Sequence, residues 1–95
     1  MRVSGRHVQV FLLAEPSRER ARLGISVPRR VGNAVARNRV RRRLREIFRR
    51  SRALLGDCRG ALVVNARPSA ASASFRELSE DYSRAVSRAL RPPRR

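Results

Sequence analysis

The stretch RNRVRRRLREIFRR, Arg37 to Arg50, carries two patterns at once. Val40, Leu44, Ile47 and Phe48 recur at three- and four-residue spacing, the period of a helix with one buried face. Followed outward, the same stripe takes in Ser51 and Leu55. The charge run also extends, to eleven arginines between Arg29 and Arg52 against a single acid, Glu46. On a helical wheel Arg39, Arg42, Arg45, Arg49 and Arg50 fall opposite the apolar stripe. A disordered basic tail has no reason to keep a buried face, and a core helix does not accept this much unpaired charge. The pattern predicts a helix from about Asn33 to Leu55 that packs on one side and offers arginine on the other. Gly32 and Asn33 supply the start signal and Gly56 the C-terminal cap. Glu46 is within reach of Arg42, Arg43, Arg49 and Arg50 and can pair with only some of them.

Composition points the same way. Ninety-five residues make one domain, 1–95, and 41% hydrophobic content is enough for one core. A net charge of +17 repels itself, and a polyanion would relieve that repulsion. All 24 basic residues are arginine. A genome rich in G and C is one source of such a bias, but the chemical consequence holds whatever the source. Guanidinium forks grip phosphate in two-pronged fashion and stack on bases. The single cysteine, Cys58, excludes an internal disulfide framework. No apolar run reaches membrane length and no secretory leader precedes the first strand, so the expectation is a cytoplasmic protein with no membrane partner.

Around the basic helix, three runs suit strands. His7–Ala14 (HVQVFLLA) alternates, with Val8, Val10, Leu12 and Ala14 on one face and His7, Gln9, Phe11 and Leu13 on the other. Leu23–Val27 (LGISV) is a second, stopped by Pro28. The polar EPSRER segment between them is short enough for an antiparallel hairpin, with Pro16 and Ser17 in the connection. Gly60–Asn65 (GALVVN) is almost wholly apolar, which places it on two covered faces or at the centre of a sheet. Arg67, Pro68 and small residues to Ala73 form a loop. Ser74 and Glu77 make a capping box for a last helix to about Leu90, with Phe75, Leu78, Tyr82, Val86 and Leu90 as its core face. Pro92 and Pro93 stop it, and residues 91–95 form a frayed basic tail. The order strand, strand, helix, strand, helix predicts an α/β (α+β) two-layer sandwich with a small mixed sheet.

The start of the basic helix is the candidate site. Free backbone N–H groups there favour phosphate, and Arg29, Arg30, Arg37, Asn38, Arg39, Arg41 and Arg42 surround them. Arg37 falls in register with Val40 and Leu44, which is tolerable if the helix start overhangs the sheet edge. Asn38 can donate and accept, so it can meet a 2′-hydroxyl or a base edge as well as phosphate. A solvated basic face without a partner is the bland alternative. No catalytic residue and no metal ligand is expected. His7 stands alone, Cys58 has no second soft ligand, and Glu80 and Asp81 as helix neighbours point about 100° apart. Any chemistry would come from a partner.

These residues resemble the protein subunit of bacterial ribonuclease P. The likeness runs in order and spacing through Leu23–Val27, Val31–Val35 (VGNAV), Arg37, Asn38 and Arg39, then Arg41, Arg42, Arg45 and Glu46. It continues through Ala66, Arg67 and Pro68 to Phe75 and Leu78, from about Arg6 to Leu90. The resemblance implies that Gly60–Asn65 pairs in parallel with the strand before the helix, through a left-handed crossover that goes against the general preference. It implies a protein that does not cut RNA itself. Such a protein joins a large catalytic RNA, which uses magnesium (Mg2+) to hydrolyse the 5′ leader from precursor tRNA. By motif position it implies contacts to the catalytic RNA from Arg37, Asn38, Arg39, Arg41, Arg42 and Arg45, and Arg29, Arg30, Asn33 and Arg49 are expected to join them. Leader contacts would come from Gln9, Phe11, Leu13 and Arg67, with one monomeric copy of the protein per RNA. Phe11 would offer a stacking surface to a single-stranded base, or else pack under a neighbouring element. The family usually begins with a further helix whose phenylalanines complete the leader cleft. Here that helix is expected to be absent, through a late start, a trimmed sequence or a real loss. Pro28 stands where the family favours a small polar residue, and it removes one backbone donor. The alternative function is a structural, ribosomal-type RNA-binding protein with no role in tRNA processing.

Overall fold

The computed structural model describes residues 2–15, 21–56 and 59–90. Four strands and two helices follow one another: β1 (Arg2–Ser4), β2 (Val8–Ala14), β3 (Arg22–Ser26), α1 (Ala34–Arg50), β4 (Gly60–Ala66) and α2 (Phe75–Leu90). The sheet order is β1-β2-β4-β3. β4 runs antiparallel to β2, with Val10 opposite Val64, and parallel to β3, with Ile25 opposite Val64. The apolar GALVVNA segment is therefore central, as its composition implies. Its alternate residues Leu62, Val64 and Ala66 are buried on one face. Gly60 makes the close pairing possible. Its φ is +131°, and a Cβ there would stand 1.9 Å from the Leu13 carbonyl oxygen.

Both helices cover the same face. α2 lies on β1 and β2, α1 reaches β3, and the helices touch each other. Val8, Val10, Leu62 and Val64 from the sheet meet Val40, Leu44 and Ile47 from α1 and Leu78, Tyr82 and Val86 from α2, all essentially without solvent. This is the two-layer α+β sandwich with a mixed sheet that the element order predicts. The reverse face carries Gln9, Phe11 and Leu13, which stand opposite Asn65, Val63 and Ala61.

Several sequence expectations are corrected. A fourth strand, β1, pairs with β2 through Val3 and Val10. Three residues with one apolar side chain carry no usable period. The two N-terminal runs do not form a hairpin, because β4 lies between them. Closeness along the chain favoured that pairing, but the almost wholly apolar β4 takes the interior place between them, where both edges and one face are covered. The basic helix does not run unbroken to Leu55. α1 ends at Arg50, Ser51 turns, and a 3-10 turn over Arg52–Leu55 follows. The Ser51 hydroxyl donates to the Ile47 carbonyl, a bond that competes with the helix ladder. Leu55 is still buried, as the stripe requires. The capping box stands as expected: the Glu77 N–H donates to Ser74 Oγ (3.1 Å) and the Ser74 N–H to Glu77 Oε1 (2.8 Å). The expectations for Pro16, Ser17, Cys58 and residues 91–95 lie outside the described residues.

Candidate nucleic-acid interface

The Asn33 side chain starts α1, its Oδ1 accepting the Ala36 N–H at 2.9 Å. Asn33, expected to meet RNA, therefore commits its oxygen to the cap. From this fixed start, the buried positions Val40, Leu44, Ile47 and Phe48 set the rotation of the helix. Asn38, Arg39, Arg42 and Arg45 are consequently exposed, with Arg41 half-buried beside them. A shallow groove of about 430 Å³ runs along this arc between Val35, Asn38, Arg41, Arg42 and Arg45. Val35 is 74% exposed and gives the groove an apolar spot. Sequence reasoning placed it only within a motif. Arg39, Arg41, Arg42 and Arg45 make no ion pair or side-chain hydrogen bond among the described residues.

Arg43, Arg49, Arg50 and Arg52 are engaged within the protein. Arg49 grips Glu46 with two bonds, Nε to Oε1 at 3.0 Å and Nη2 to Oε2 at 2.6 Å, and Arg50 Nε adds a third at 2.6 Å. Hydrogen bonds from Arg49 and then Arg50 pull the Glu46 carboxyl down to about 2. Arg50 also lies over the Phe75 ring at 5.5 Å, and Arg52 over Phe48 at 4.9 Å. Arg52 donates to the Ala21 carbonyl at 3.1 Å and Arg43 to the Ala73 carbonyl at 3.0 Å. These two hold segments of the fold together. Arg37 is half-buried, and its Nε is enclosed without a hydrogen-bond partner among the described residues. Of the expected RNA contacts on α1, the structure brings Asn38, Arg39, Arg41, Arg42 and Arg45 onto one ridge. It sets Arg49 at the ridge's end, already paired.

A second region lies on the reverse face of the sheet. Gln9, Ser26 and Asn65 stand in one row across β2, β3 and β4. Beyond them Pro28, Arg30, Arg67 and Pro68 complete a pocket of about 390 Å³. Gln9 and Arg67, both expected at the leader, are thus brought together. Arg30, expected at the catalytic RNA, lines this pocket with them, while Arg29 is exposed on the same 3-10 turn, Arg29–Val31. The next row holds half-buried Phe11 opposite Val63, and the row after holds Leu13, 57% exposed, opposite Ala61. Phe11 and Leu13 share the face with the pocket but do not line it. Ser26 and Asn65 were missed in the sequence, since only the strand register shows them beside Gln9. Among the described residues no group of three or more His, Cys, Asp or Glu is gathered. No described helix is long and apolar enough to cross a membrane.

Comparison with known proteins adds an independent line. The family model "Ribonuclease P" matches residues 1–90. The ribonuclease P protein component of Acidothermus cellulolyticus is 43% identical over 88 residues, covering 92% of this chain and 72% of that protein. The corresponding component of Thermus brockianus is 46% identical over 82 residues, covering 86% of this chain and 46% of that protein. The chain thus spans about half the length of its Thermus relatives. Among solved structures, the RNase P protein of Staphylococcus aureus superposes with a TM-score of 0.85 at 27% identity, over 95% of this chain and 81% of that one. The RNase P protein of Thermotoga maritima superposes with a TM-score of 0.81 at 26% identity, over 93% and 82%.

Proposed function

Because this chain belongs to the ribonuclease P protein family, we propose that it is the accessory protein of a ribonucleoprotein endoribonuclease whose RNA removes the 5′ leader from precursor tRNA. The observation that carries the reading is the α1 ridge: Arg39, Arg41, Arg42 and Arg45, exposed or half-buried and without protein partners among the described residues. Unpaired guanidinium groups break no protein ion pair when they bind, and each phosphate they neutralise releases counterions. The catalytic RNA docks on this ridge, with Asn38 between its arginines to accept or donate at the sugar. Arg29, Asn33 and Arg37 extend the contact around the helix start. Arg49 joins it by exchanging Glu46 for phosphate.

The reverse face of the sheet takes the leader. Arg67 and Arg30 hold its phosphates beside the Gln9 amide, and Phe11 and Leu13 offer apolar surface to unstacked bases. Binding two RNAs on separate faces lets one small protein fix the leader relative to the scissile bond. Hydrolysis and the Mg2+ ions that serve it belong to the RNA. The protein lowers the ion concentration needed, because its positive charge neutralises phosphates that magnesium would otherwise screen. One monomeric copy serves each RNA, in the cytoplasm.

Reconstitution tests the reading. With the catalytic RNA encoded in the same genome, the protein is expected to accelerate cleavage of precursor tRNA at low magnesium. An equal rate with RNA alone would reject the proposal.

A further inference from the structure

Asp81 is a carboxylate only 3% exposed, on the buried side of α2. Its Oδ1 accepts the Arg6 N–H at 2.9 Å, and its Oδ2 accepts the N–H groups of His7 at 2.8 Å and Val8 at 3.0 Å. The tight β1–β2 turn is therefore wrapped around it. Within that turn the Gly5 N–H donates to the Val8 carbonyl at 2.7 Å, while the Val8 N–H turns to the carboxylate. A Cβ on Gly5 would stand 2.6 Å from Asp81 Oδ2, so the close approach needs glycine.

The bonds continue past the turn. The His7 carbonyl accepts the Arg67 N–H at 2.8 Å, one step beyond the last β2–β4 pair, Val8 and Ala66. The Arg67 carbonyl accepts the Ala70 N–H at 2.9 Å. Both backbone groups of Arg67 are thereby fixed. On the side-chain level, Ser69 Oγ donates to the Arg6 carbonyl at 3.1 Å. A hydroxyl has one proton, so the 2.8 Å contact between His7 Nδ1 and Ser69 Oγ has the ring as donor. Turn and loop are bolted to each other, and the turn to Asp81 on α2. The one side chain this network leaves projecting at the pocket's arginine corner is Arg67, with Arg30 near it.

We propose that Asp81, His7 and Ser69 form a positioning latch that aims Arg67 at the leader, so that a carboxylate in the helical layer governs binding on the opposite face of the sheet. The proposal rests on the leader reading of that face. A carboxylate serving stability alone would need only its three amide donors. The His7–Ser69 bond and the pinned Arg67 backbone add order where an exposed loop would otherwise let the guanidinium wander.

The test uses the reconstituted ribonucleoprotein and compares its affinity for precursor tRNA with that for mature tRNA, which lacks the leader. Arg67→Ala is expected to lower the preference for precursor about tenfold, the loss of one charge-assisted contact. Ser69→Ala is expected to lower it about threefold in the parent protein and not at all on top of Arg67→Ala, the signature of coupled residues. His7→Ala should behave like Ser69→Ala, and His7→Asn, whose side-chain N–H overlays Nδ1, should restore the preference. These variants leave the Asp81 carboxylate in place, so they avoid the folding loss expected of Asp81→Asn. If Arg67→Ala leaves the preference unchanged, the leader reading falls and the latch with it. If Arg67→Ala acts but Ser69→Ala costs the same with and without Arg67, or lowers only the melting temperature, the latch alone is overturned.

Discussion

α1 and α2 lie on the same face of one sheet and touch each other, and they treat charge in opposite ways. On α2, Arg76 pairs with Glu80 at 3.4 Å and Arg84 approaches Asp81 at 3.7 Å, while Glu77 closes the capping box. On α1 the only acid is Glu46, and it holds Arg49 and Arg50 at the helix end. Arg39, Arg41, Arg42 and Arg45 remain without a counter-charge among the described residues. Both helices bury one stripe, so amphipathicity explains why each belongs to the fold. It does not explain the outer faces. Charge balance there separates a helix whose outer face is largely paired from one that, on the proposed reading, meets a polyanion.

The comparison can be broken most directly by neutralising each outer face in turn. Arg39, Arg42 and Arg45 all changed to alanine should weaken binding to the catalytic RNA about a thousandfold in a filter-binding assay. Arg76, Arg84 and Arg88 changed together should shift it by no more than about twofold, since exposed pairs contribute little. Equal losses from both helices would erase the distinction.

The buried stripes should behave alike. Leu44→Ala on α1 and Leu78→Ala on α2 each open a cavity at a fully buried position. Each should cost about 2–5 kcal/mol in urea unfolding. A much smaller loss on either helix would mean that it is only loosely docked.

Neighbouring arginines sharpen the contrast to one residue. Arg43 is tied to the Ala73 carbonyl, whereas Arg42 has no ion pair or hydrogen-bonded side-chain partner among the described residues. Arg43→Ala should lower stability by about 1 kcal/mol, and Arg42→Ala should leave the unfolding midpoint in place while weakening RNA binding. The reverse assignment would show that position along the run, not partnering, decides the role.

This division was only partly legible in the sequence. A helix declares itself locally, because stripe and charge repeat within four residues, and so the ridge from Asn38 to Arg45 was readable. Which arginines are free was not, since Arg43 and Arg52 bond to carbonyls of distant segments, Ala73 and Ala21. The sheet was less legible still. Pairing β4 between β2 and β3 joins runs far apart in the chain, and the resemblance supplied the parallel half of it. The row Gln9, Asn65 and Ser26 exists only once the register is known. In the sequence Asp81 stood out only as a neighbour of Glu80, badly placed to share a metal with it. Only the turn folded around it shows that it is buried.

The smallest expected effect belongs to α2 alone. Burial pushes the Tyr82 phenol up to about 12, partly offset by its hydrogen bond with Ser51. A phenol ionises near 10 when unfolded. Between about pH 10 and 12 the unfolded chain therefore loses a proton that the folded chain keeps, and stability falls as pH rises. Melting temperatures over this range should drop less steeply for Tyr82→Phe than for the parent. Identical profiles would mean that the hydroxyl is wet.

The salt dependence of catalytic-RNA binding tests the central claim most directly. Log affinity against log salt should fall steeply for the parent protein, and the slope should flatten by about three units when Arg39, Arg42 and Arg45 are all alanine. A variant slope equal to the parent's would place the RNA somewhere other than on α1.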